Sequence, residues 1–581
     1  MLGDRAGARR SGEGDAALHN VAEDVRREIR AAVANAIASS ELAAQVGEYQ
    51  THEVPVEFAR DKSYGDFATT VAMLLAKRLG RPPRQVAEVI AASLKSAVGK
   101  TRYIRRVEVA GAGFINFFLS RAWLEETIRA VHAAGPAYGR SDVGRGKRVQ
   151  LEFVSANPTG PMNVVNARAA AVGAALANVL EAVGYDVSTE YYINDAGNQV
   201  AVLGESVELR YRQLQGENVE FPERCYQGLY IMDIAREAAA EHGERLKTMA
   251  PAERARFFRE FALSRMLESQ KRSLARFGVG FDVWFSERKL VESGAHQEVL
   301  RILRERGMVY EKDGATWLCS TKFGDDKDRV LVKSDGEYTY LAGDIAYHKN
   351  KLDRGFDLII DIWGPDHHGH VVPTRAGIQA LGYPGECLEV LLLQFLSILS
   401  GGERVKMSKR AGEFVTMDEL VDEVGRDAAR YFMLMRNIES HLDFDLELAK
   451  RQSQENPVYY VQYAHARICS IFRQAEENGV KFEGAASADL SRLEEEIELD
   501  IARKIAAYPD EVVTSAADRA PNRLAKYALD LAGLFHSFYN SCRVMSDDAG
   551  LTSARLALSG AVGIVLRNCL GILGISAPEK M

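Results

Sequence analysis

A strand–turn–helix–strand pattern over residues 148–193 constrains the fold of this chain more than any other feature. Arg148–Val154 is apolar and β-prone, and Pro and Gly residues at 158–161 indicate a turn. Asn166–Gly184 then carries Ala and Leu at helical spacing, and Tyr185–Ile193 returns to a strand pattern. This βαβ unit predicts the first half of a nucleotide-binding sheet, since the N-terminus of its helix suits a phosphate. A plain turn without a ligand is equally compatible with such a junction.

The sheet pattern is interrupted and resumes further along the chain. Residues of about 201–280 are charged and helical, whereas 330–420 alternate again between strand and helix patterns. There Tyr338–Leu341 predicts a strand, which is followed by a helix and by the strand Leu358–Trp363. We therefore expect an α/β fold, in which a helical insertion splits a Rossmann-like parallel sheet.

Helical and mixed segments flank this sheet. Before it, Val21–Val46 and Val71–Leu79 predict helices, and Gly111–Phe117 predicts a turn that enters a strand. After about residue 425, apolar residues recur at helical spacing, as in Val458–Phe472 and Leu524–Tyr539. The N-terminal part is therefore expected to be α+β and the C-terminal part an all-α bundle.

The length of 581 residues exceeds what one hydrophobic core supports, so about three or four domains are expected. The first 20 residues lack an apolar core, which argues against a secretory signal and for a disordered leader. We expect a leader at 1–20, an N-terminal domain at 21–120, a catalytic domain at 121–424 with its insertion at about 201–290, and a helical domain at 425–581.

Composition argues against several classes of protein. The six cysteines are scattered without a CxxC pair, so neither a disulfide framework nor a cysteine zinc site is expected. A cytoplasmic location is expected instead. No apolar run is expected to reach the roughly 20 residues of a membrane span, so no membrane contact is expected. The net charge of −8 argues against a chain that binds nucleic acid over its whole surface, although it permits one basic face.

Two short motifs carry the chemistry. Residues 155–168 read Ser-Ala-Asn-Pro-Thr-Gly-Pro-Met-Asn-Val-Val-Asn-Ala-Arg, and residues 401–410 read Gly-Gly-Glu-Arg-Val-Lys-Met-Ser-Lys-Arg. Lysines on a loop can stabilise the charge that develops on a leaving pyrophosphate, although a basic run is usually a solvated surface. The second motif matches the lysine signature of class I aminoacyl-tRNA synthetases. The first resembles their ATP-binding signature, in which Pro and a hydrophobic residue precede His-x-Gly-His.

Further segments narrow the resemblance to bacterial arginyl-tRNA synthetases. They are Gly65–Thr69, Tyr191–Gln199, Asn456–Arg467, Phe535–Asn540 and the chain end Ala577–Met581. The resemblance covers nearly the whole chain after residue 20. It implies a monomeric, ATP-dependent ligase that forms arginyl-adenylate from L-arginine and ATP, with Mg²⁺, and transfers arginine to tRNA-Arg.

The resemblance implies an arginine pocket made of Glu152, Asn157, Tyr340 and Asp344. A guanidinium has five donors and no acceptor, so carboxylates and a phenol oxygen are suitable partners. Glu152 lies on a central strand, and the alternative for it is an ion pair with a structural cation.

The resemblance also assigns the nucleotide site and the tRNA contacts. Catalytic roles fall to Lys406, Lys409, Asn163 and Asn166, and ATP contacts to Pro161, Val165, Gly364, Asp366, His368, Met407 and Ser408. The neighbouring His367 and His370 also suggest a metal, but no second group has ligand spacing, so none is expected. Asn116 is expected to contact the tRNA elbow, and Tyr459 and Tyr463 to stack on bases or to pack in the helical core.

The ATP signature departs from the family pattern at three positions. Asn163 and Asn166 replace the two histidines, and Val165 replaces the glycine. The asparagines keep amide donors but cannot carry charge, and the branched Val165 is expected to crowd the adenine, at a cost of about 1–3 kcal/mol. Two hypotheses follow: a working arginine–tRNA ligase, or a weak or inactive paralogue that binds arginine or tRNA in a regulatory role.

Overall fold

The computed structural model of the chain describes residues 19–96, 98–404 and 416–581. Two sequence-based predictions concern residues outside these ranges. They are the leader, of which only residues 19 and 20 are described, and the lysine motif with Lys406, Met407, Ser408 and Lys409.

The N-terminal region is an antiparallel sheet packed against helices. Its elements are α1 (Val21–Ala38), α2 (Ala43–Val46), β1 (Glu57–Phe58), β2 (Phe67–Thr69), α3 (Val71–Leu79), α4 (Pro83–Lys95), β3 (Ile104–Ala110) and β4 (Phe114–Leu119). The strands run in the order β1-β2-β4-β3. The helix predicted over Val21–Val46 ends at Ala38, because the hydroxyls of Ser39 and Ser40 donate back to carbonyls of its last turn.

The central region contains a five-stranded parallel sheet of order β12-β11-β5-β6-β7, which confirms the α/β class. Its first part comprises α5 (Ala122–Ala134), β5 (Arg148–Glu152), α6 (Val164–Ala182), β6 (Asp186–Ile193), α7 (Asn198–Leu214), α8 (Leu229–Thr248), α9 (Pro251–Arg276), β7 (Val283–Ser286), α10 (Glu287–Glu292) and α11 (Ala295–Glu305). Its second part comprises β8 (Val309–Lys312), β9 (Ala315–Leu318), β10 (Arg329–Val332), α12 (Tyr340–Asp353), β11 (Leu358–Trp363), α13 (His368–Ala380), β12 (Leu388–Leu392), β13 (Leu396–Ser400), β14 (Glu403–Arg404), α14 (Met417–Val424), α15 (Arg426–Leu434), β15 (Leu442–Asp445) and α16 (Leu446–Lys450).

The order of the parallel strands reverses at β5. Strands β6 and β7 lie on one side of it, and β11 and β12 lie on the other. In open α/β sheets, ligands bind at the carboxyl ends of the strands at such a reversal. A side chain at Gly173 would overlap the Phe153 ring, so this glycine lets α6 lie close against the sheet. The crevice is therefore bordered by the loop after β5 and by the loop after β11, which begins at Gly364.

One predicted strand is wrong. Tyr338–Leu341 does not form a strand, because α12 begins at Tyr340, and only Tyr338 makes an isolated bridge, with Val332. Thr339 has the extended backbone of a helix N-cap, which turns the β-prone residues around it into a helix start. The charged stretch predicted at about 201–280 consists of the helices α7, α8 and α9, as expected for an insertion.

The C-terminal region is the predicted all-α bundle. It comprises α17 (Pro457–Glu477), α18 (Glu496–Ala506), α19 (Tyr508–Ala517), α20 (Asn522–Ser541) and α21 (Ala549–Leu573). The N-terminal region packs against it through ion pairs. Arg26 pairs with Asp510, and Lys62 lies 2.9 Å from carboxylate oxygens of both Glu496 and Asp500.

Two helices, α6 and α21, are long and apolar enough to cross a membrane by length and composition. By length and composition, the prediction that no apolar run reaches the length of a membrane span is therefore wrong. Within the protein, 78% of the apolar window of α6 and 67% of that of α21 are buried. Core helices of large proteins pass the same test, so this length is weak evidence for a membrane span.

Candidate active site

The loop between β5 and α6 is strained at its start. Val154 and Ser155 have φ angles of 70° and 37°, in the left-handed region that residues other than glycine rarely adopt. Such strain persists only where the surroundings hold the backbone, and it concentrates at binding sites. Within this loop Asn157 is exposed and Pro161 is half-buried, so both can meet a ligand.

Asn163 and Asn166 close the first turn of α6 on each other. Asn163 Oδ1 accepts from the backbone N–H groups of Val165 and Asn166, each at 3.0 Å. Asn166 Oδ1 accepts from the Asn163 N–H, also at 3.0 Å. This reciprocal capping box uses both side-chain oxygens. Among the residues that the structure describes, the two Nδ2 groups have no partner, so they can donate to an anion.

Val165 lies in the same turn and is 38% exposed. Its branched side chain therefore stands on the accessible surface of α6 and not in the core. The predicted contact with adenine stays a prediction.

Arg168, one turn further along α6, ties this helix to two loops. Its guanidinium donates to the carbonyls of Gln394 and Phe395 at 2.8 and 3.3 Å, and to those of Asn437 and Ser440 at 3.0 and 2.8 Å. Burial lowers the pKa of Arg168 to about 10. Sequence reasoning missed this residue, although a single arginine within an apolar helix is a signal for a buried polar contact.

Glu152 is bound inside the protein. It is 7% exposed, its Oε2 lies 2.6 Å from Nζ of Lys351, and its Oε1 accepts from the Ser155 hydroxyl at 2.8 Å. Burial raises the pKa of Glu152, and Lys351 opposes that rise. This geometry favours the alternative of a structural cation over direct contact with a guanidinium.

Lys351 also serves a second buried carboxylate. Its Nζ lies 2.8 Å from Oδ1 of Asp361, whose Oδ2 lies 2.6 Å from Nε2 of His348. Burial alone raises the pKa of Asp361, but Lys351 and His348 outweigh it and hold that pKa at about 2. On β6, which neighbours the strand of Glu152, Glu190 pairs with Arg354 at 2.6 Å and accepts from Tyr347 at 2.6 Å.

Three carboxylates surround Tyr192 at the edge of the crevice. Burial raises the pKa of Tyr192, and the charges of Glu287, Glu152 and Asp344 raise it further. Asp344 lies one helical turn after Tyr340, which begins α12 and is 84% exposed. His370 Nδ1 lies 3.9 Å from Asp344, which raises the pKa of His370. A negative and partly desolvated surface of this kind suits a cationic ligand.

Glu287 belongs to this surface and was missed in the sequence. It is the first residue of α10, and burial raises its pKa. Its Oε2 is buried and has no hydrogen-bond partner among the described residues. Tyr192 and the Ala196 N–H oppose this rise in pKa. A buried carboxylate oxygen without a donor is costly unless a ligand supplies one. The only local signal was an acidic residue directly after a strand.

The loop after β11 presents Asp366, His367, His368 and His370 at the other side of the crevice, all exposed. His367 lies 3.6 Å from Asp366, and the extended Gly364 precedes them. In the part of the chain that the structure describes, no group of three or more His, Cys, Asp or Glu is arranged to hold a metal. The residues predicted for ATP therefore line both sides of the crevice, apart from those of the lysine motif.

The residues predicted for tRNA contacts lie far apart in the sequence and differ in exposure. Asn116 is 4% exposed in the middle of β4, so its buried side chain contradicts the predicted contact, and the more exposed Phe114 starts the strand. Tyr459 and Tyr463 stack at 5.9 Å on α17 and are half-buried. The Arg467 guanidinium lies between the Tyr463 and Tyr539 rings, at 4.6 and 4.5 Å. Stacking and core packing are thus both present.

Three family models match successive parts of the chain. "Arginyl tRNA synthetase N terminal domain" matches residues 23–119, "tRNA synthetases class I (R), catalytic domain" matches 128–452, and "DALR anticodon binding domain" matches 461–581. The arginine–tRNA ligase of Heliobacterium modesticaldum is 50% identical, over 97% of this chain and 100% of that protein. That of Carboxydothermus hydrogenoformans is 52% identical, over 90% and 94%. The structure of Thermus thermophilus arginyl-tRNA synthetase shares the fold, with a TM-score of 0.75 at 24% identity over 96% of this chain and 100% of that one.

Proposed function

The chain belongs to the arginyl-tRNA synthetase family, and we propose that it ligates L-arginine to tRNA-Arg at the expense of ATP. One observation carries this proposal: the N-terminus of α6, which suits an anion, and the carboxylate surface around Tyr192 lie at the same crevice. The N-terminus of α6 attracts phosphate through its dipole and through the side-chain Nδ2 groups of Asn163 and Asn166, whose oxygens already cap the backbone N–H groups. Asp344 and Glu287 offer negative charge to a guanidinium beside it.

The reaction has two steps. An oxygen of the arginine carboxylate attacks the α-phosphorus of ATP, a P–O bond forms, and the bond to pyrophosphate breaks. A terminal ribose hydroxyl of tRNA-Arg then attacks the carbonyl carbon of arginyl-adenylate, AMP leaves, and the hydroxyl proton is released. Both steps build negative charge on phosphate oxygens, which positioned donors stabilise.

The phosphates of ATP are assigned to the start of α6. The free amides of Asn163 and Asn166 donate to them, and Lys406 and Lys409 neutralise the leaving pyrophosphate, as the family resemblance implies. Adenosine is assigned to the surface made of Pro161, Val165, Gly364, Asp366 and His368, and the family resemblance adds contacts from Met407 and Ser408. The exposed Asp366 carboxylate accepts from a ribose hydroxyl.

Mg²⁺ is proposed to arrive on the phosphates of ATP and to neutralise part of their charge. Among the described residues the protein offers no preformed acidic cage. Mg²⁺ commonly binds through substrate phosphates and water in such sites, which fits this arrangement.

Arginine is assigned to the surface around Tyr192. Asp344, Tyr340 and Glu287 pair with the guanidinium, and the exposed Asn157 meets the α-amino end. Glu152 supports this pocket without contacting the guanidinium directly, because Lys351 and Ser155 already bind its two oxygens.

The chain binds arginine and tRNA as a member of its family, and the finer contacts with tRNA are proposals. Tyr459 and Tyr463 present one stacked face for anticodon bases. Phe114 takes the role first given to Asn116, because it is exposed at the turn between β3 and β4. We further propose the three domains predicted at 21–120, 121–424 and 425–581, although residues 426–450 also pack on the central region through the pairing of β15 with β13. The protein is proposed to be a cytoplasmic monomer without membrane contact.

The test is the charging of tRNA-Arg by purified protein with arginine and ATP. We expect arginyl-tRNA to accumulate only when all three substrates are present. Because the family generally needs tRNA for activation, pyrophosphate exchange is measured with tRNA present. Binding of tRNA-Arg without any charging would overturn the proposed function in favour of a regulatory paralogue.

A further inference from the structure

Side chains from outside the loop donate hydrogen bonds to several backbone carbonyls between Ala156 and Gly160. The Tyr191 hydroxyl donates to Ala156 at 2.9 Å. The Gln270 amide donates to the carbonyls of Asn157 and Gly160, each at 3.1 Å. The Tyr230 hydroxyl donates to Thr159 at 2.6 Å. These bonds hold the segment that follows the two strained residues Val154 and Ser155.

Two of these donors belong to the helical insertion. Tyr230 lies in α8 and Gln270 in α9, whereas Tyr191 lies in β6 of the sheet. Gln270 is 1% exposed, and its Oε1 lies 3.0 Å from the Tyr191 hydroxyl, whose single proton is shared between this oxygen and the Ala156 carbonyl. The sheet, the insertion and the loop therefore meet at one buried amide.

The same face of α9 holds the segment that follows the lysine motif. Ser273, one turn after Gln270, donates to Asp418 of α14, and Arg276 pairs with Asp418 at 3.4 Å. The start of α14 in turn bonds to the ATP signature, since the Met417 N–H donates to the Met162 carbonyl at 2.9 Å. Helix α9 thus touches the signature both directly and through α14.

We propose that Gln270 and Tyr230 are positioning residues, through which the insertion holds the strained loop in the shape that binds arginine and ATP. A strained backbone relaxes when its partners are removed, and the relaxed loop displaces Asn157 and the start of α6. The identity of the ligands rests on the proposed function, whereas the bracing of the loop does not.

The test compares Gln270→Leu and Tyr230→Phe with matched variants in the same insertion. Gln213→Leu also removes an amide that donates to a loop carbonyl, that of Val219, and Tyr211→Phe removes a hydroxyl that donates to Gly243. We expect the KM for arginine and for ATP in tRNA charging to rise about 10–100-fold in Gln270→Leu and about 5-fold in Tyr230→Phe, with kcat changed less than about 3-fold. The matched variants should keep the wild-type KM values.

Hydrogen exchange gives a readout without catalysis. Peptides that span residues 153–166 should exchange faster in Gln270→Leu and in Tyr230→Phe, while peptides from α20 should exchange as in the wild type. In the double variant Tyr191→Phe with Gln270→Leu, the opening free energy of the 153–166 peptides should fall by less than the sum of the two single effects. The reason is that the two side chains share a hydrogen bond.

Unchanged exchange in the 153–166 peptides of both variants overturns the proposal. So does an equal rise in KM for the matched variants, since it indicates general damage to the insertion. A wild-type protein that charges no tRNA contradicts the proposed function alone, and hydrogen exchange then still decides whether the loop is braced.

Discussion

At the residue scale, the asparagines at the start of α6 cap the helix in addition to the phosphate contact proposed for them. Asparagine is among the best N-cap residues, and Asn163 and Asn166 satisfy three backbone N–H groups between them. A histidine has a longer, planar ring and can carry a positive charge. The replacements therefore favour a well-capped helix over positive charge beside the phosphates.

Restoring the family pattern tests whether these replacements weaken ATP binding while they stabilise the helix. The triple change Asn163→His, Val165→Gly and Asn166→His should lower the KM for ATP about 10–100-fold, because it adds charge and removes a branched side chain. It should also lower the melting temperature, since the cap is lost and a glycine enters the first turn. Steady-state charging and thermal unfolding measure the two effects. An unchanged KM for ATP would show that Val165 does not crowd the nucleotide.

Glu287 should be a main determinant of arginine affinity. Glu287→Gln keeps the shape but removes the charge, so the KM for arginine should rise about 10–100-fold, as for other charged hydrogen bonds. The exposed Glu292→Gln at the end of the same helix is the control. Equal KM values for the two variants would remove Glu287 from the pocket.

The difference between Asp344 and Glu287 shows what the sequence can predict of the site. Asp344 stands in a segment that resembles the family, so its position was available from the sequence. Glu287 follows a short strand without a recognisable motif, and its importance arises from burial against Tyr192, which lies 95 positions earlier in the chain. The ion pair of Glu152 with Lys351 depends in the same way on the packing of a helix on the sheet.

At the element scale, α12 is held to the sheet by charge. Asp361, Glu152 and Glu190 lie side by side on β11, β5 and β6, and all three are buried. Like charges in neighbouring strands repel each other. Lys351 and Arg354, at and just after the end of α12, neutralise this row. The sheet therefore requires α12 in one place, which also fixes Tyr340 and Asp344 at the crevice.

The titration of Asp361 should be visible in the stability of the protein. Its pKa is held at about 2, below the ordinary value of 3.8, so its contribution is complete above pH 3.8 and is lost as the pH falls towards 2. Asp361→Asn should lower the free energy of unfolding by about 2 kcal/mol at pH 7, and the gap to the wild type should close below about pH 4. Urea unfolding at several pH values measures this gap, with the exposed Asp547→Asn as control. A gap that is constant down to pH 2 would contradict the assignment.

The long elements were predictable and the short ones were not. The helix Val71–Leu79 and the strand Leu358–Trp363 have the predicted bounds, because their apolar pattern is strong enough to decide the structure locally. Residues 338–341 carry β-prone side chains, but the cap at Thr339 and the charge of the sheet start a helix at Tyr340. The small sheets β8–β10 and β13–β15 form between strands of two to five residues, which no local pattern reveals.

At the scale of the whole molecule, the first and last parts of the chain stabilise each other. Arg26 of α1 pairs with Asp510 of α19, and its guanidinium lies 5.2 and 5.6 Å from the rings of Phe58 and Phe67. The Arg26 side chain is 9% exposed, whereas the Lys62 pairs are mostly in solvent. The buried pair should therefore contribute more to docking than the exposed ones.

Replacement of Arg26 should weaken this docking. Arg26→Met should lower the free energy of unfolding by about 1–3 kcal/mol, because Asp510 loses its partner and the aromatic rings lose a cation. Arg27→Met, at a position that is 75% exposed, should change it by less than about 0.5 kcal/mol. Trp123 lies 6.4 and 5.7 Å from Phe58 and Phe67, so its fluorescence follows the unfolding of this region. Identical urea midpoints for the two variants would show that the pair does not stabilise the docked state.

The pairing of Arg26 with Asp510 has a consequence for synthesis on the ribosome. The two residues are 484 positions apart. At about 5–20 residues per second, about 25–100 s pass between their translation. Throughout that interval the nascent chain carries an N-terminal region whose docking face has no partner, and only the emergence of α19 from the exit tunnel allows the two ends to join.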